Sequence, residues 1–484
     1  MAPIFSGLLM IIITIPLLFA AVQPWMWTLY AALIIVLYIF HTWGETKHSP
    51  APAGSGNRRM FLFSAGLFYA YALLQCLPLP ASLLGMLSPY RRHLLDSSEQ
   101  LLNQPAAFQS ISYVPAASFS WWIFLLSLWL FFLLLKGRLT RREHLMTLVV
   151  AICGISLIQA LYGLMQALVP TMGVLWVDYI TVYLGDARGT FINRNHFAGF
   201  IEMTWPMWLA LIFIMGPDGG MSSGRDKTYS SRFKTYLSSH RSGYLFFCII
   251  GLLFVLLALL FSRSRAGIAG GLVGGVSFVI LAHLGGRRFS GLTWGLIGAG
   301  MIFLAIYGNA IGFDKMMGRL VYIDESAGNR MDIWKNTIDI ARDHPLGTGL
   351  RTFESVMPAY NTLGPVNIKY KHAHNDYLEL LAETGWIGFM ALTVGFYLFL
   401  GQSILRIKRF GPSLPALPFF TGIGACSGLI SMAFHGFFDF NLQIPANCIY
   451  FIVLITILYV CLRQWPDQGA AAGARINKEK MTVS

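Results

Sequence analysis

Residues 244–262 read YLFFCIIGLLFVLLALLFS, without one charged side chain. Residues 266–284 read AGIAGGLVGGVSFVILAHL, with a single histidine near the end. A helix of about 20 apolar residues is long enough to cross the hydrocarbon core of a bilayer. Only Arg263, Ser264 and Arg265 separate the two runs, so they read as two crossings joined by a tight turn. The decision for the whole fold lies here, because no soluble core needs two such stretches back to back.

Working outward, ten further stretches fit the same pattern: 4–22, 25–42, 60–78, 118–135, 146–168, 196–215, 291–308, 377–402, 416–434 and 444–462. The expectation is an all-α polytopic membrane protein with about twelve transmembrane helices. The bundle would occupy residues 1–462 and a tail 463–484. Composition agrees. The 484 residues are 56% hydrophobic and only 12% charged, against roughly 25% charged in soluble globules. The run Leu8 to Val22 lacks a basic leader and a small-residue cleavage site, and reads as a retained first span.

The net charge of +13 has a topological explanation. One alternate set of loops, with the tail, carries Lys47, Arg58 and Arg59; Lys136 to Arg142; Arg225 to Arg241; Arg287 and Arg288; Arg406 to Arg409; and Arg463 to Lys480. It holds 21 of the 35 basic residues. The positive-inside rule puts that set, and both termini, in the cytoplasm. A nucleic-acid partner then has no support. Loops 79–117, 169–195, 262–265, 309–376 and 435–443 face outward, into the periplasm. The segment 218–242 reads as a cytoplasmic linker. The six cysteines all sit in or beside apolar runs without a CxxC pair, as small buried side chains do.

The outward loop 309–376 is expected to fold as a cap between the ninth and tenth spans. Asn329 is placed to cap a helix from Arg330 to Asp343, with Met331, Trp334, Ile338 and Ala341 on one face, ended by Pro345.

Ionisable side chains at a membrane surface are functional candidates. Four groups stand out, all on the outward side. The first is Asp186 to His196, with Arg188, Arg194 and Asn195. Arginine forks match phosphate oxygens and stay charged near lipid, so this stretch suits a pyrophosphate; snorkelling to headgroups is the plainer alternative. The second is Arg263 and Arg265, kept outside against the charge bias, before a glycine-rich helix expected to pack closely on its neighbours. The third is Lys371 to Tyr377, followed by Glu379 and Glu383. A histidine here, with Glu379 to orient it, has the proton affinity of a general base. Ligation of a metal by His372, His374 and Asp376 lacks a further ligand of known geometry. The fourth is His435 and Asp439, four apart, which would share a helix face and clamp the loop. Loop 79–117, with Arg91 and Arg92, has no assignable role.

In this order the segments resemble the O-antigen ligase and O-antigen polymerase superfamily of bacterial envelope glycosyltransferases. His374-Asn375, nine residues, then Gly385-Trp386-Ile387-Gly388 resembles the ligase signature. GTFINRNHFAG (189–199), SRSRAG (262–267) and Arg330 to Gly349, with Trp334 and His344-Pro345-Leu346-Gly347, resemble three further family segments. The likeness covers about 180–440 and is faint in the first 140 residues. It implies a glycan donor on undecaprenyl pyrophosphate at the outer leaflet of the inner membrane, and a sugar hydroxyl as acceptor. That acceptor is the lipid A core for a ligase or a second lipid-linked glycan for a polymerase. His374 would deprotonate it. Arg188 or Arg194, with Arg265, would hold the pyrophosphate. Asn195, Arg330, His372, Asn375, Glu379, His435 and Asp439 would support them. The resemblance implies inversion at the anomeric centre, and neither metal nor nucleotide cofactor. A protein-glycosylating relative belongs to the same class. A polyprenyl-glycan transporter would need its charges along a path at mid-membrane depth, not gathered at one face.

Overall fold

The computed structural model describes residues 2–44, 56–103, 108–177, 183–216, 240–287, 323–361 and 370–464. Along these the α-helices are α1 (Ala2–Thr14), α2 (Pro24–Gly44), α3 (Gly56–Leu74), α4 (Ala81–Leu87), α5 (Pro89–Leu102), α6 (Pro115–Arg138), α7 (Arg142–Leu168) and α8 (Arg194–Met215). They continue with α9 (His240–Phe261), α10 (Arg265–Leu284), α11 (Ile323–Asp343), α12 (Phe353–Val356), α13 (Asp376–Phe410), α14 (Ala416–His435) and α15 (Pro445–Tyr459). Two short strands, β1 (Leu79–Pro80) and β2 (Phe108–Gln109), pair antiparallel.

Among the described residues nine helices are long and apolar enough to cross a membrane. Two shorter apolar helices, Pro3–Thr14 and Phe63–Leu74, stand where the first and third spans were expected. The expected ninth span, 291–308, lies outside the described residues, as do most of the linker 218–242 and the tail beyond 464. The bundle is ordered as a membrane protein is. Its centre is α8, α14 and α15, buried almost throughout. Its rim shows large apolar side chains, such as Phe40 (60% exposed) and Phe246 (68%). Apolar patches of that extent on helices of spanning length suit contact with lipid.

The first expected span stops short. Helix α1 ends at Thr14, and Phe19, Ala20 and Ala21 take left-handed backbone (φ 50 to 56°). Pro16 lies at the break. Its carbonyl, freed from any helix, accepts from Gln159 Nε2 at 3.1 Å and from Thr190 Oγ1. Non-helical backbone inside a bilayer needs such protein partners.

The tenth expected span is also interrupted. Helix α13 is broken at Gly385 (φ 61°). The freed carbonyl of Ala382 accepts from Thr348 N (3.0 Å) and that of Glu383 from Gly349 N (2.8 Å), while Trp386 N donates to Pro345 O (3.0 Å). A Cβ on Gly385 would lie 2.4 Å from Pro345 O. The second half of the ligase-like signature is therefore a joint, through which the loop 345–349 is threaded into a helix.

Helix α11 begins at Ile323, seven residues before the expected start, so Asn329 lies within it and does not cap it. Its buried side is Ile333, Asn336, Thr337, Ile340 and Ala341, while Met331 and Ile338 are exposed. The buried face is turned by about a third of the helix circumference from the expected one and keeps only Ala341 of it, because Thr337 and Asn336 point inward with Ile333 and Ile340. Helix α11 ends at Asp343, before Pro345 as expected.

Of loop 79–117, the described residues 79–103 and 108–117 fold against the loop 345–349. Tyr113 N donates to Thr348 O (2.9 Å), and Ser112 N to Gln75 O (2.9 Å). Leu79, Leu84 and Ile111 pack with Leu346. The Arg91 guanidinium lies 4.1 Å from the centre of the Tyr113 ring. His344 sits behind, with Nε2 at hydrogen-bond distance from the hydroxyl groups of Tyr113 (3.2 Å) and Tyr360 (3.3 Å), while the Tyr360 hydroxyl donates to Asp343 Oδ2 (2.8 Å).

Candidate active site

The chain enters α13 through His372-Ala373-His374-Asn375. Asn375 is its N-cap, with Oδ1 accepting from Tyr377 N and Leu378 N, both at 3.0 Å. The Asn375 amide also donates to Phe437 O (3.1 Å), tying this corner to the turn after α14. Asp376 repeats the tie: its N donates to Gly436 O (2.8 Å), and its carboxylate accepts from Leu442 N. With so many anchors, His374 is held in left-handed backbone (φ 50°), where a residue with a side chain is strained. That conformation turns its ring away from its sequence neighbours.

His374 Nδ1 donates to Asp439 Oδ1 at 3.2 Å. The ring is one-third exposed and the carboxylate is buried. Burial alone would raise the Asp439 carboxyl. The hydrogen bond from His374 and the nearby imidazoles of His196, His374 and His435 outweigh it, and hold the group below the usual carboxylate range. Phe440 follows directly and is walled by imidazoles. His372 stacks on it at 3.9 Å, and His374 and His196 meet it edge-on at 4.9 and 4.6 Å.

Two expected pairings are corrected here. Glu379 does not orient His374. It takes His372 Nδ1 (2.7 Å) and Ala373 N (2.8 Å), because the left-handed turn at His374 carries that ring past it. His435 and Asp439 do not pair side chain to side chain. Helix α14 ends at His435, so the i, i+4 face does not exist, and His435 turns inward to Glu202 Oε1 (3.0 Å).

The arginines converge on one carboxylate. Asp186, buried, accepts from Arg194 Nη1 at Oδ2 and from Arg263 Nη1 at Oδ1 (2.6 Å). Both arginines keep part of their surface open, 18% and 17%. Arg194 also lies over the Tyr183 ring. Arg188 differs: it is 1% exposed, and burial lowers the proton affinity of its guanidinium, partly offset by Tyr162 and Asp186. Arg265 is exposed in the first turn of α10, which Ser264 caps through Gly267 N. Arg330 Nη1 reaches Phe438 O (3.2 Å), next to Asp439. Asn195, half-buried, gives its backbone N–H to the cap Asn193. The Trp334 indole donates to Ala373 O (3.1 Å), so α11 braces the histidine corner.

His196 joins the two halves. It lies two residues after Arg194, and its ring contacts Phe440, which adjoins Asp439 and touches His374. Asn447 Nδ2 donates to the His196 carbonyl (3.2 Å). The four sequence groups thus meet at one end of the bundle. Asp186 as the pivot, Arg263 as the second fork, Glu202 and Phe440 are residues that the sequence did not single out for these parts. Only an acid among arginines hinted at the first.

Residues 235–393 match the family model for O-antigen ligase. That stretch is similar to the O-antigen ligase family, in keeping with the resemblance to the ligase and polymerase superfamily. The family match includes Arg263, Arg265, the corner 372–376 and the Gly385 joint, and stops short of Asp186, Arg194 and Asp439. Among curated proteins nothing matches the chain.

Proposed function

We propose that this protein moves a glycan from undecaprenyl pyrophosphate to a sugar hydroxyl of the lipid A core, at the periplasmic face of the bacterial inner membrane. The observation that carries this reading is the His374–Asp439 pair, linked through Phe440 and His196 to the start of α8, where Arg194 shares the Asp186 carboxylate with Arg263. With Nδ1 engaged by Asp439, His374 offers Nε2 to the acceptor hydroxyl. The hydroxyl loses its proton to Nε2 as its oxygen attacks the anomeric carbon. The bond from that carbon to the pyrophosphate oxygen breaks, and the electron pair leaves with the diphosphate. Attack opposite the leaving group inverts the centre.

The diphosphate gains charge as it departs, and arginine forks preorganised at that place stabilise it. Of the two candidates, Arg194 suits this role better than Arg188, since it is open and paired with Arg263 through a shared acid. Arg265 adds a further cation at the exposed start of α10. These residues supply the countercharge themselves, and the mechanism calls for no metal or nucleotide. Extension of a second lipid-linked glycan, the polymerase reaction, would use the same groups. The HN…GxxG signature favours the ligase. The distribution of basic loops supports a topology with both termini in the cytoplasm.

The test is transfer by the purified protein from defined undecaprenyl-pyrophosphate glycan, with lipid A core or a second lipid-linked glycan as acceptor. Product on the core supports the ligase, and product on the second glycan supports the polymerase. No transfer to either acceptor ends both readings.

A further inference from the structure

Helix α14 closes on His435, whose ring turns away from the surface. Its Nδ1 meets Glu202 Oε1 at 3.0 Å, and both side chains are fully buried. Glu202 stands eight residues beyond Arg194 in α8, about 12 Å along the axis at 1.5 Å per residue. A carboxylate and an imidazole so deep are expensive to bury and add little net adhesion.

Adhesion between these helices has another source. Gly428 brings α14 against the backbone of α8, where a Cβ would lie 2.4 Å from Met203 O, and Gly424 approaches Pro206 O likewise. Helix α10 even leaves room for the acid: a Cβ on Gly270 would lie 2.2 Å from Glu202 Oε2. Three helices are thus arranged around a pair that the packing does not need.

The pair reaches the site through the main chain. The His435 carbonyl accepts from Phe438 N (2.8 Å) and Asp439 N (3.2 Å). Asp439 Oδ1 then takes His374 Nδ1 (3.2 Å) and Phe440 N (2.9 Å). Fixing the His435 ring fixes the residue on which this turn is built, and so the aim of the Asp439 carboxylate.

We propose that Glu202 is a positioning residue for glycan transfer, acting through His435 on the turn 435–439 that presents Asp439 to His374. The proposal rests on the reading of His374 as the base. Glu202→Gln keeps size and an acceptor but removes the charge. Glu202→Asp keeps the charge and withdraws it by one methylene. In the purified full-length protein each should lower kcat about 10- to 100-fold, with KM for donor and acceptor unchanged. On an Asp439→Asn background, Glu202→Gln should cost nothing further, since both act through one imidazole.

Normal kcat in both single variants, or two losses that simply multiply, overturns the proposal. So does a fall in yield and thermal midpoint with kcat per folded protein intact, which is what mere adhesion predicts. If one variant does not fold, the other completes the cycle. His374→Ala separates the two levels. If it leaves transfer unchanged, the base assignment fails. If it abolishes transfer while the Glu202 variants are normal, only the positioning role falls.

Discussion

At the scale of single residues, His374 combines three things: strained backbone at φ 50°, a ring one-third exposed, and a buried carboxylate on Nδ1. The carboxylate selects the tautomer that leaves Nε2 free. Asp439→Asn should therefore preserve the fold and lower kcat by about 10²- to 10⁴-fold, through loss of that tautomer. Steady-state transfer rates check it, and an unchanged kcat would contradict it. Arg194→Lys and Arg263→Lys keep charge but lose the fork that Asp186 aligns. Each should cost about 10- to 100-fold in kcat, and Asp186→Asn should weaken both arginines at once. The pair His374-Asn375 was legible in the sequence because it is adjacent and local, but the cap that Asn375 makes was not. Asp439, 65 residues away, was visible but paired with the wrong partner. Spacing rules assume regular backbone, and the decisive residue here is irregular. The same holds for Asp186, whose link to Arg263 crosses 77 residues.

At the scale of elements, the nine long apolar helices among the described residues were legible from apolar length alone, and the breaks at Pro16 and Gly385 were not. Pro16 and Gly385 each open a helix whose freed carbonyls are taken by side chains and amides from remote loops. Gly385→Ala would force a Cβ into Pro345 O and into left-handed backbone. It should destabilise the protein by about 1–3 kcal/mol for the backbone strain, with more for the clash. A fall in the thermal midpoint of the detergent-solubilised protein checks this. An unchanged midpoint would remove the joint from the account. In the cap, burial lowers the His344 proton affinity to about 4, with Asp343 opposing and Arg91 adding to the effect. The unfolded chain takes up this proton near the ordinary 6.5, so it binds more protons than the folded one between those values. Stability from this site is complete above pH 6.5 and is lost as pH falls towards 4. His344→Gln should flatten that part of the midpoint-against-pH curve. An equally steep curve in the variant would assign the acid sensitivity elsewhere.

At the scale of the whole molecule, an inside-out arrangement locates the chemistry. Polar side chains of the candidate site gather where the described segments 79–103, 108–114 and 323–361 pack on one another and on the entry to α13, while the rim of the bundle is apolar. The segments 79–103 and 108–114 were not legible, because their short strands and helices carry no long apolar period. Charge asymmetry predicts that these segments face outward. In a cysteine-free background, Ser97→Cys and Lys335→Cys should react with an impermeant maleimide added to intact spheroplasts, and Ser413→Cys only after lysis. The reverse pattern would invert the topology. The central claim is that His374 deprotonates a sugar hydroxyl attacking a polyprenyl-pyrophosphate glycan. Its most direct test compares wild-type protein and His374→Ala in single-turnover transfer from the purified lipid-linked donor. A loss of about 10²- to 10⁴-fold, as expected of a general base, with donor binding retained, is the predicted result; transfer at the wild-type rate would contradict it.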